Sequence, residues 1–366
     1  MDTNLHELFI QLVRVGIGAA ESATIPEGVD WEALKGLASE QGLLAVVLDG
    51  MDRLSKNLIN GSNQMPKRVR LAWIVEVLQQ EQVNANQQKA AVEMALLFHG
   101  NGIRTYVLKG AVIAECYPRP EHRSSVDMDC FLTEANENDN ENVWERGNRI
   151  VEDAGFEVKR DFYKNSTFFF PGLTVENHKF LTPFRGNKRL KNLERLLQRL
   201  INENDNDNKF DGTYLYRPPV MVSALFLIEH AYSHFLHEGL TWRMVLDWVM
   251  FCRKHVEELD WNAFEGYVDV FGFRRFYDSF SQLGQYLIGE FQDFESLSEQ
   301  ERRMLNDIWA PLDLHETVTG VKGKLALAGN TWRARWKYRD FTDISWIKAI
   351  CIQAKGFLFE KEPMLD

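Results

Sequence analysis

One short stretch constrains the fold more than any other, because it alternates strand-forming and helix-forming segments within 104–132. Residues 105–108 (TYVL) form a β-rich run that stops at Lys109-Gly110, and the apolar residues that follow can begin a helix. The segment YPRP at 117–120 ends that helix, because proline lacks an N–H and restricts the residue before it. The pattern predicts a strand, a Lys-Gly turn, a short helix and a second strand.

The second strand, 126–132 (VDMDCFL), carries two carboxylates. Strand alternation places Asp127 and Asp129 on one face, with their apolar neighbours on the other. Two adjacent carboxylates repel each other unless they are solvated or share a cation. A solvated strand end is the ordinary explanation, but the position of the pair after a strand, a Lys-Gly turn and a helix favours Mg²⁺. That ion takes oxygen ligands, usually one or two carboxylates together with substrate phosphates.

Composition and charge argue against several classes of protein. Of 366 residues, 45% are hydrophobic and 26% are charged, which is typical of a soluble globular protein with two or three domains. The net charge of −11 disfavours a protein built to bind nucleic-acid phosphates. No apolar run approaches the roughly 20 residues that span a bilayer, so we expect no membrane partner. The acidic N-terminus is unlike a signal peptide, and four scattered cysteines favour reduced thiols; we expect a cytoplasmic protein.

Apolar periodicity divides the chain into three expected segments. Residues 1–100 have helical spacing and include a long run, 67–99, without Pro or Gly; they form an N-terminal helical segment. Residues 101–215 alternate strands and helices and form an α/β core that would carry the site. Residues 216–366 are rich in Trp and Phe and form a C-terminal helical domain. The expected fold class is α+β, a small mixed β-sheet with flanking helices between two helical segments.

A later strand offers a third carboxylate. In the run 173–181 (LTVENHKFL), Thr174, Glu176 and His178 share one face. Glu176 could complete a three-carboxylate cluster with the two aspartates, although a surface position explains it equally well from the residues alone. If the cluster forms, Glu176 must converge on Asp127 and Asp129 from far along the chain.

Three residues near the first turn suit a phosphate. Lys109-Gly110 stands where a helix begins, and a helix N-terminus offers free N–H groups and the positive end of the helix dipole. Glycine allows close backbone approach, and the lysine adds a point charge. Arg123, in the loop that leads to Asp127, has the right charge for a triphosphate, although many such arginines lie simply on the surface.

The C-terminal helices carry polar residues among apolar ones. His230 and His234 lie one helical turn apart, but HAYSH lacks the glutamate of a HExxH metalloprotease. Two alternatives are open for these histidines and Asp247. They border a cleft on the side where an acceptor substrate would bind, or they hydrogen-bond one another inside the helical core. Cys116 and Cys130 lie in apolar surroundings, which disfavours a cysteine nucleophile.

These residues together resemble the uncharacterised bacterial nucleotidyltransferase family of the polymerase-β-like nucleotidyltransferase superfamily. The resemblance spans most of the chain, and its motifs are VLKG at 107–110, YP at 117–118, Arg123, VDMD at 126–129 and VENH at 175–178. The flanks are also similar, with DWEAL at 30–34 in front and His230-Ala231, Trp242-Arg243 and Asp247 behind. The superfamily's usual Gly-Ser is replaced here by Lys-Gly-Ala, so a serine contact to phosphate is absent.

The resemblance implies a Mg²⁺-dependent transfer of a nucleoside monophosphate from an NTP, with ATP expected, to an unknown acceptor. It implies that Asp127, Asp129 and Glu176 are the catalytic and metal-binding residues. Four others, Lys109, Gly110, Arg123 and His178, would then contact the nucleotide. The acceptor is expected to be a small molecule or a protein rather than nucleic acid. The alternative is a nucleotide- or partner-binding protein that keeps this fold without turnover.

Overall fold

A mixed six-stranded sheet with flanking helices confirms the predicted fold class within the residues that the structure describes. The computed structural model describes residues 3–58, 65–134, 142–160, 165–182, 184, 187–203, 208–290, 296–310, 332–349 and 351. Within these ranges no helix is both long and apolar enough to cross a membrane. The division of the chain into three segments, with boundaries after residues 100 and 215, remains a prediction.

The sheet has the strand order β3-β4-β5-β2-β1-β6. Its strands are β1 (Ile103–Val107), β2 (Met128–Glu134), β3 (Val158–Arg160), β4 (Asn165–Phe170), β5 (Leu173–His178) and β6 (Leu215–Tyr216). Strand β2 is antiparallel to β1 but parallel to β5, and β5 pairs antiparallel with β4. The two strands that carry the candidate carboxylates are therefore direct neighbours at the centre of the sheet.

Helices lie before, within and after the sheet region. The first four are α1 (Thr3–Gly16), α2 (Trp31–Glu40), α3 (Leu44–Leu58) and α4 (Lys67–Gly100). Those interleaved with the strands are α5 (Ala111–Ala114), α6 (Val143–Asp153) and α7 (Lys188–Asn202). Among the described residues, the helices after the sheet include α8 (Val220–His237), α9 (Trp242–Lys254), α10 (Trp261–Phe271), α11 (Arg274–Ile288), α12 (Glu299–Trp309) and α13 (Arg335–Phe341).

Most expected elements form close to their predicted positions, because their signals are local. Asp30 caps α2 by accepting a hydrogen bond from the Ala33 backbone N–H at 3.0 Å. Gly155 follows α6 with a φ of 91°, a left-handed conformation that favours glycine. One short strand, β6, was not predicted. The sequence also predicts a strand at 156–162, of which the structure has Val158–Arg160, while residues 161–162 lie outside the described ranges. It predicts further helical segments at 322–336 and 344–359, and much of both also lies outside those ranges.

Helix α4 lies against the sheet and positions the site. It packs on β1, β5 and β6, and it also contacts the 3₁₀ turn Pro120–His122 in the loop that leads to β2. Its buried residues Ala90, Ala91, Met94 and Phe98 are part of the core. A single cluster of buried apolar side chains runs from α1 through the sheet into the C-terminal helices.

Candidate functional site

The turn between β1 and α5 depends on a glycine. Gly110 has a φ of 67°, which a residue with a Cβ rarely adopts. A Cβ at this position would lie 3.5 Å from the Ser125 hydroxyl oxygen, so the turn packs closely against the loop before β2. Helix α5 has only four residues, so its dipole contributes little to anion binding. Attraction for phosphate at this turn depends mainly on the charge of Lys109.

Parallel pairing of β2 and β5 brings two of the three candidate carboxylates together. Asp129 is paired with Glu176 in the register of the two strands, and the next residue on the same face of β5 is His178. The ligand atoms that these three side chains offer lie within 4.8 Å of one another. This group, with two carboxylates and an imidazole, has the composition of a divalent-cation site.

The pKa of Asp129 is strongly shifted by its surroundings. Its side chain is buried, with a residue exposure of 1%, and its Oδ1 lies 2.9 Å from His178 Nε2. The Lys109 ammonium lies 3.0 Å from Oδ2, yet the contact lacks hydrogen-bond geometry and Oδ2 accepts no hydrogen bond. Burial alone would raise the pKa of Asp129, but Lys109 and His178 outweigh it and hold that pKa well below its usual range.

Asp127 lies outside this group, just before β2 rather than inside a strand, and it is partly exposed. Side chains, not strand hydrogen bonds, hold the backbone here. The Ser125 hydroxyl donates to the Asp127 carbonyl oxygen at 3.1 Å, and the Gln87 amide of α4 donates to the Val126 carbonyl oxygen at 3.1 Å. These contacts explain why the strand predicted at 126–132 begins only at Met128.

Glu176 and its strand are held from two sides. The Asn165 amide of β4 donates to Glu176 Oε2 at 2.7 Å, and His178 Nε2 lies 3.8 Å from the same oxygen. Beyond the end of β5, the buried Glu194 of α7 accepts hydrogen bonds from the backbone N–H groups of Leu181 and Thr182. Burial raises the pKa of Glu194 to about 7, although those hydrogen bonds oppose the shift.

Arg123 is buried and paired rather than turned to solvent. Its exposure is 3%, and its Nε and Nη2 atoms donate to the two oxygens of Asp247 on α9, each at 2.8 Å. The Tyr117 hydroxyl donates to the same carboxylate at 2.7 Å. Burial would raise the pKa of Asp247, but the Arg123 guanidinium outweighs it and lowers that pKa. The pair therefore joins the loop before β2 to the C-terminal helices, and a contact of Arg123 with phosphate stays a prediction.

One of the three histidines of α8 contacts the lysine that pairs with Asp129. His230 Nε2 lies 3.4 Å from Lys109 Nζ, so His230, Lys109 and Asp129 follow one another in space. His234 lies farther along the helix, with its Nδ1 2.7 Å from Glu238. The histidine rings contact each other at 4.4 Å between centroids. Of the polar residues noted in the C-terminal helices, His230 is the one placed beside the carboxylate group.

The side-chain amides of α4 hold the loop before β2, a role that the sequence did not indicate. Gln80 donates to the His122 carbonyl oxygen at 3.1 Å, and Asn84 donates to those of Glu121 and Arg123 at 2.8 and 3.1 Å. Together with Gln87, these side chains hold the loop that carries Arg123 and Asp127. Their spacing, 80, 84 and 87, places them on one face of a helix, which is the signal that could have identified them.

A buried histidine strengthens the same loop. Both ring nitrogens of His122 lie near carboxylate oxygens, Nδ1 at 2.6 Å from Asp49 of α3 and Nε2 at 2.7 Å from Glu81 of α4. Burial lowers the pKa of His122, but the hydrogen bonds to Asp49 and Glu81 outweigh it and raise that pKa above its ordinary value. The His122 imidazole thus links α3 and α4 to the loop before β2.

A pocket of about 290 Å³ lies between α4 and the sheet. Its wall is largely apolar, with Ala91 from α4 and Val107 and Leu173 from the sheet, and its volume is close to the lower end of the range for small-molecule pockets. Asp127 and the Lys109-Gly110 turn also line it. The pocket therefore extends to Lys109 and Asp127, at the end of β1 and just before the start of β2, whereas Asp129 and Glu176 do not line it.

Cys116 and Cys130 have the surroundings of structural residues. Cys116 and Cys130 are both buried. Burial raises the pKa of Cys116 to about 12, and burial together with the nearby Asp129 charge raises that of Cys130 still further above its ordinary value. Both thiols therefore stay protonated at neutral pH, as expected of structural residues.

Comparison with known proteins gives one match. The model of a family described as an uncharacterised nucleotidyltransferase matches residues 27–289, which is well over half of the chain. The match begins before α2 and extends through α11, so it includes all the candidate residues described above. No curated protein and no solved structure matches the chain.

Proposed function

The chain belongs to the uncharacterised nucleotidyltransferase family, and from this premise we propose a divalent-metal-dependent enzyme that transfers a nucleoside monophosphate from an NTP to an acceptor. The observation that carries the proposal is the pairing of Asp129 with Glu176 on adjacent parallel strands beside Lys109. Membership in the family supports nucleotidyl transfer in general. The metal, the NTP and the acceptor are parts of the proposal.

The residues present fit a divalent cation. Asp129 Oδ2 is buried and accepts no hydrogen bond, so its lone pairs are available to a metal ion. Asp129 and Glu176 supply oxygen atoms, which both Mg²⁺ and Mn²⁺ accept as ligands. Asp127, two residues before Asp129 and partly exposed, is the proposed further ligand. When bound, Mg²⁺ or Mn²⁺ would neutralise the charge that develops on the transferring phosphoryl group.

The protein's own residues have distinct proposed roles. Lys109 attracts the phosphates, and Gly110 lets them approach the backbone. Glu176, which is partly exposed, accepts the proton of the acceptor hydroxyl. His178 orients Asp129 through its 2.9 Å contact. Arg123, buried against Asp247, positions the loop that carries Asp127 and adds positive potential behind it.

The pocket beside α4 is the proposed site of the nucleoside. Its apolar wall suits a base and ribose, and the Lys109-Gly110 turn at its end is where the phosphates would begin. The acceptor would approach Glu176 across the open face of β4 and β5, where Phe169 is 62% exposed. The net charge of −11 favours a small molecule or a protein side chain over nucleic acid as that acceptor.

The test is transfer of the label of an α-labelled NTP to an acceptor in a cell extract, with unlabelled pyrophosphate released, in the presence of Mg²⁺ or Mn²⁺. We expect transfer by the wild-type protein and loss of transfer in Glu176→Gln. The matched control is Glu76→Gln, which removes a carboxylate from α4 that pairs with Lys35 away from the site. Equal activity of both variants would contradict the assignment of Glu176.

A second candidate function follows from one observation. Lys109 and His178 already compensate the charge of Asp129 without a metal ion. This arrangement favours a protein that binds nucleotides or a partner without turnover. Tight NTP binding by the wild-type protein, with no pyrophosphate release in any extract, would support this alternative over the enzyme.

A further inference from the structure

Lys109 occupies the position of a cation between the sheet and α8. Its ammonium nitrogen lies 3.0 Å from Asp129 Oδ2 and 3.4 Å from His230 Nε2. Asp129 is buried, and no hydrogen bond reaches this oxygen. The ion pair with Lys109 therefore supplies the main compensation of charge at Oδ2.

A divalent cation and this ammonium compete for one oxygen. A metal ligated by Asp129 Oδ2 would lie about 2.1 Å from that atom, and two cations so close to each other repel strongly. The Lys109 side chain is 18% exposed and has a flexible four-carbon stem, so it is able to move away. The phosphates of an NTP at the Lys109-Gly110 turn offer the nearest new partner for its charge.

We propose that Lys109 is an exchangeable counter-ion of Asp129, which leaves that carboxylate when a divalent cation binds and then pairs with a phosphate of the NTP. This inference rests on the proposed function. Without a nucleotide, the metal must displace Lys109 and leave its charge without a partner. With a nucleotide, the displaced ammonium gains one. Metal and NTP therefore bind cooperatively, and by linkage each raises the affinity of the other by the same factor.

The test is Lys109→Met, which keeps the length of the side chain and removes its charge. Calorimetric titration measures Mn²⁺ binding alone and with a non-hydrolysable NTP analogue, corrected for the Mn²⁺–analogue complex in solution. We expect Lys109→Met to bind Mn²⁺ alone about 10-fold more tightly than wild type, a typical size for such coupling. We also expect the analogue to raise Mn²⁺ affinity much less in this variant than in wild type.

Two further variants serve as controls. Lys35→Met removes a lysine of similar exposure, 16%, that pairs with Glu76 at 2.6 Å in the N-terminal helices, and it should leave Mn²⁺ binding unchanged. Lys109→Arg keeps the positive charge and should keep the weak Mn²⁺ binding of the wild type. If Lys109→Met does not fold, Lys109→Gln replaces it, because an amide can still donate to the buried carboxylate; the same tighter binding is expected.

The outcomes separate this inference from the proposed function. Mn²⁺ binding that is no tighter in Lys109→Met than in wild type and Lys35→Met would overturn the exchange. If the wild type still transferred nucleotides, the proposed function would stand. A wild-type protein that binds neither Mn²⁺ nor the analogue would overturn both. A Lys109→Met variant that binds Mn²⁺ more tightly while the wild type shows no transfer would support the exchange and refute the enzyme.

Discussion

Replacing Asp127 and Asp129 one at a time by asparagine tests whether the two carboxylates have different roles. Asp129 is 1% exposed and contacts both Lys109 and His178, whereas Asp127 is partly exposed and lies outside that group. Both substitutions are nearly isosteric. We therefore expect Asp129→Asn to lower stability strongly and Asp127→Asn to lower activity with little change in stability.

The magnitude follows from the geometry. At the 3.0 Å between Lys109 Nζ and Asp129 Oδ2, the gross attraction is about 5 kcal/mol at an effective dielectric constant of about 20. Part of this attraction offsets the desolvation of the two charged groups. Removing one partner of a buried ion pair therefore lowers the free energy of unfolding by about 3–5 kcal/mol. At about 1.3 °C per kcal/mol for a chain of this size, the melting temperature of Asp129→Asn should fall by about 4–6 °C. For Asp127→Asn the stability change should stay within about 0.5 kcal/mol.

The pH dependence gives a second measure of the same pair. The pKa of Asp129 is held well below its usual range in the folded protein, so its contribution to stability is present above the unfolded pKa of about 4 and is lost as the pH falls through the folded value. The difference in melting temperature between wild type and Asp129→Asn should therefore shrink on acidification below about pH 4.

Thermal melts followed by circular dichroism, with and without Mn²⁺, provide the assay. Mn²⁺ should raise the melting temperature of the wild-type protein, and both variants should lose part of that increase because each lacks a charged ligand. An Asp129→Asn protein that melts within about 1 °C of wild type at neutral pH would refute the buried ion pair, since this corresponds to less than about 1 kcal/mol. Loss of stability in Asp127→Asn, with an unchanged response to Mn²⁺, would instead identify Asp127 as a structural residue.

Three further predictions concern the surroundings of the site. Asp247→Leu alone should destabilise the protein by about 3–5 kcal/mol because it leaves the Arg123 guanidinium buried without a partner, whereas the double variant with Arg123→Met should recover much of that loss in urea unfolding. His122 has a raised pKa, so its stabilisation is complete below the unfolded value of about 6.5 and is lost as the pH rises through the folded value; in His122→Gln the melting temperature should vary less between about pH 6 and pH 9. Ala91→Phe should fill the pocket and weaken NTP binding at least about 10-fold while Mn²⁺ binding alone persists, and unchanged NTP affinity would place the nucleoside elsewhere.

Much of the secondary structure could be predicted from the sequence because its signals are local. Apolar periodicity, capping residues and prolines act within a few residues, and they predict helices at 31–40, 220–237 and 242–254. The structure has helices with these bounds, Trp31–Glu40, Val220–His237 and Trp242–Lys254. The turn at Gly110 was also predictable, because only a residue without a Cβ readily adopts its conformation. Strand alternation likewise placed Glu176 and His178 on one face.

Tertiary structure alone decided which charges meet. Pairing of Asp129 with Glu176 depends on the parallel register of two strands that are far apart in the chain, and no local pattern specifies that register. Gln87 of α4 donates to the carbonyl oxygen of Val126, next to Asp127, and no pattern in the sequence of that helix indicated this contact. Arg123 has a charge that the sequence shows, but its partner comes from α9, so its burial could not be foreseen. Local sequence thus determined the elements and their faces, whereas long-range packing determined the site, because Coulomb interactions and hydrogen bonds depend on distances that only the folded chain sets.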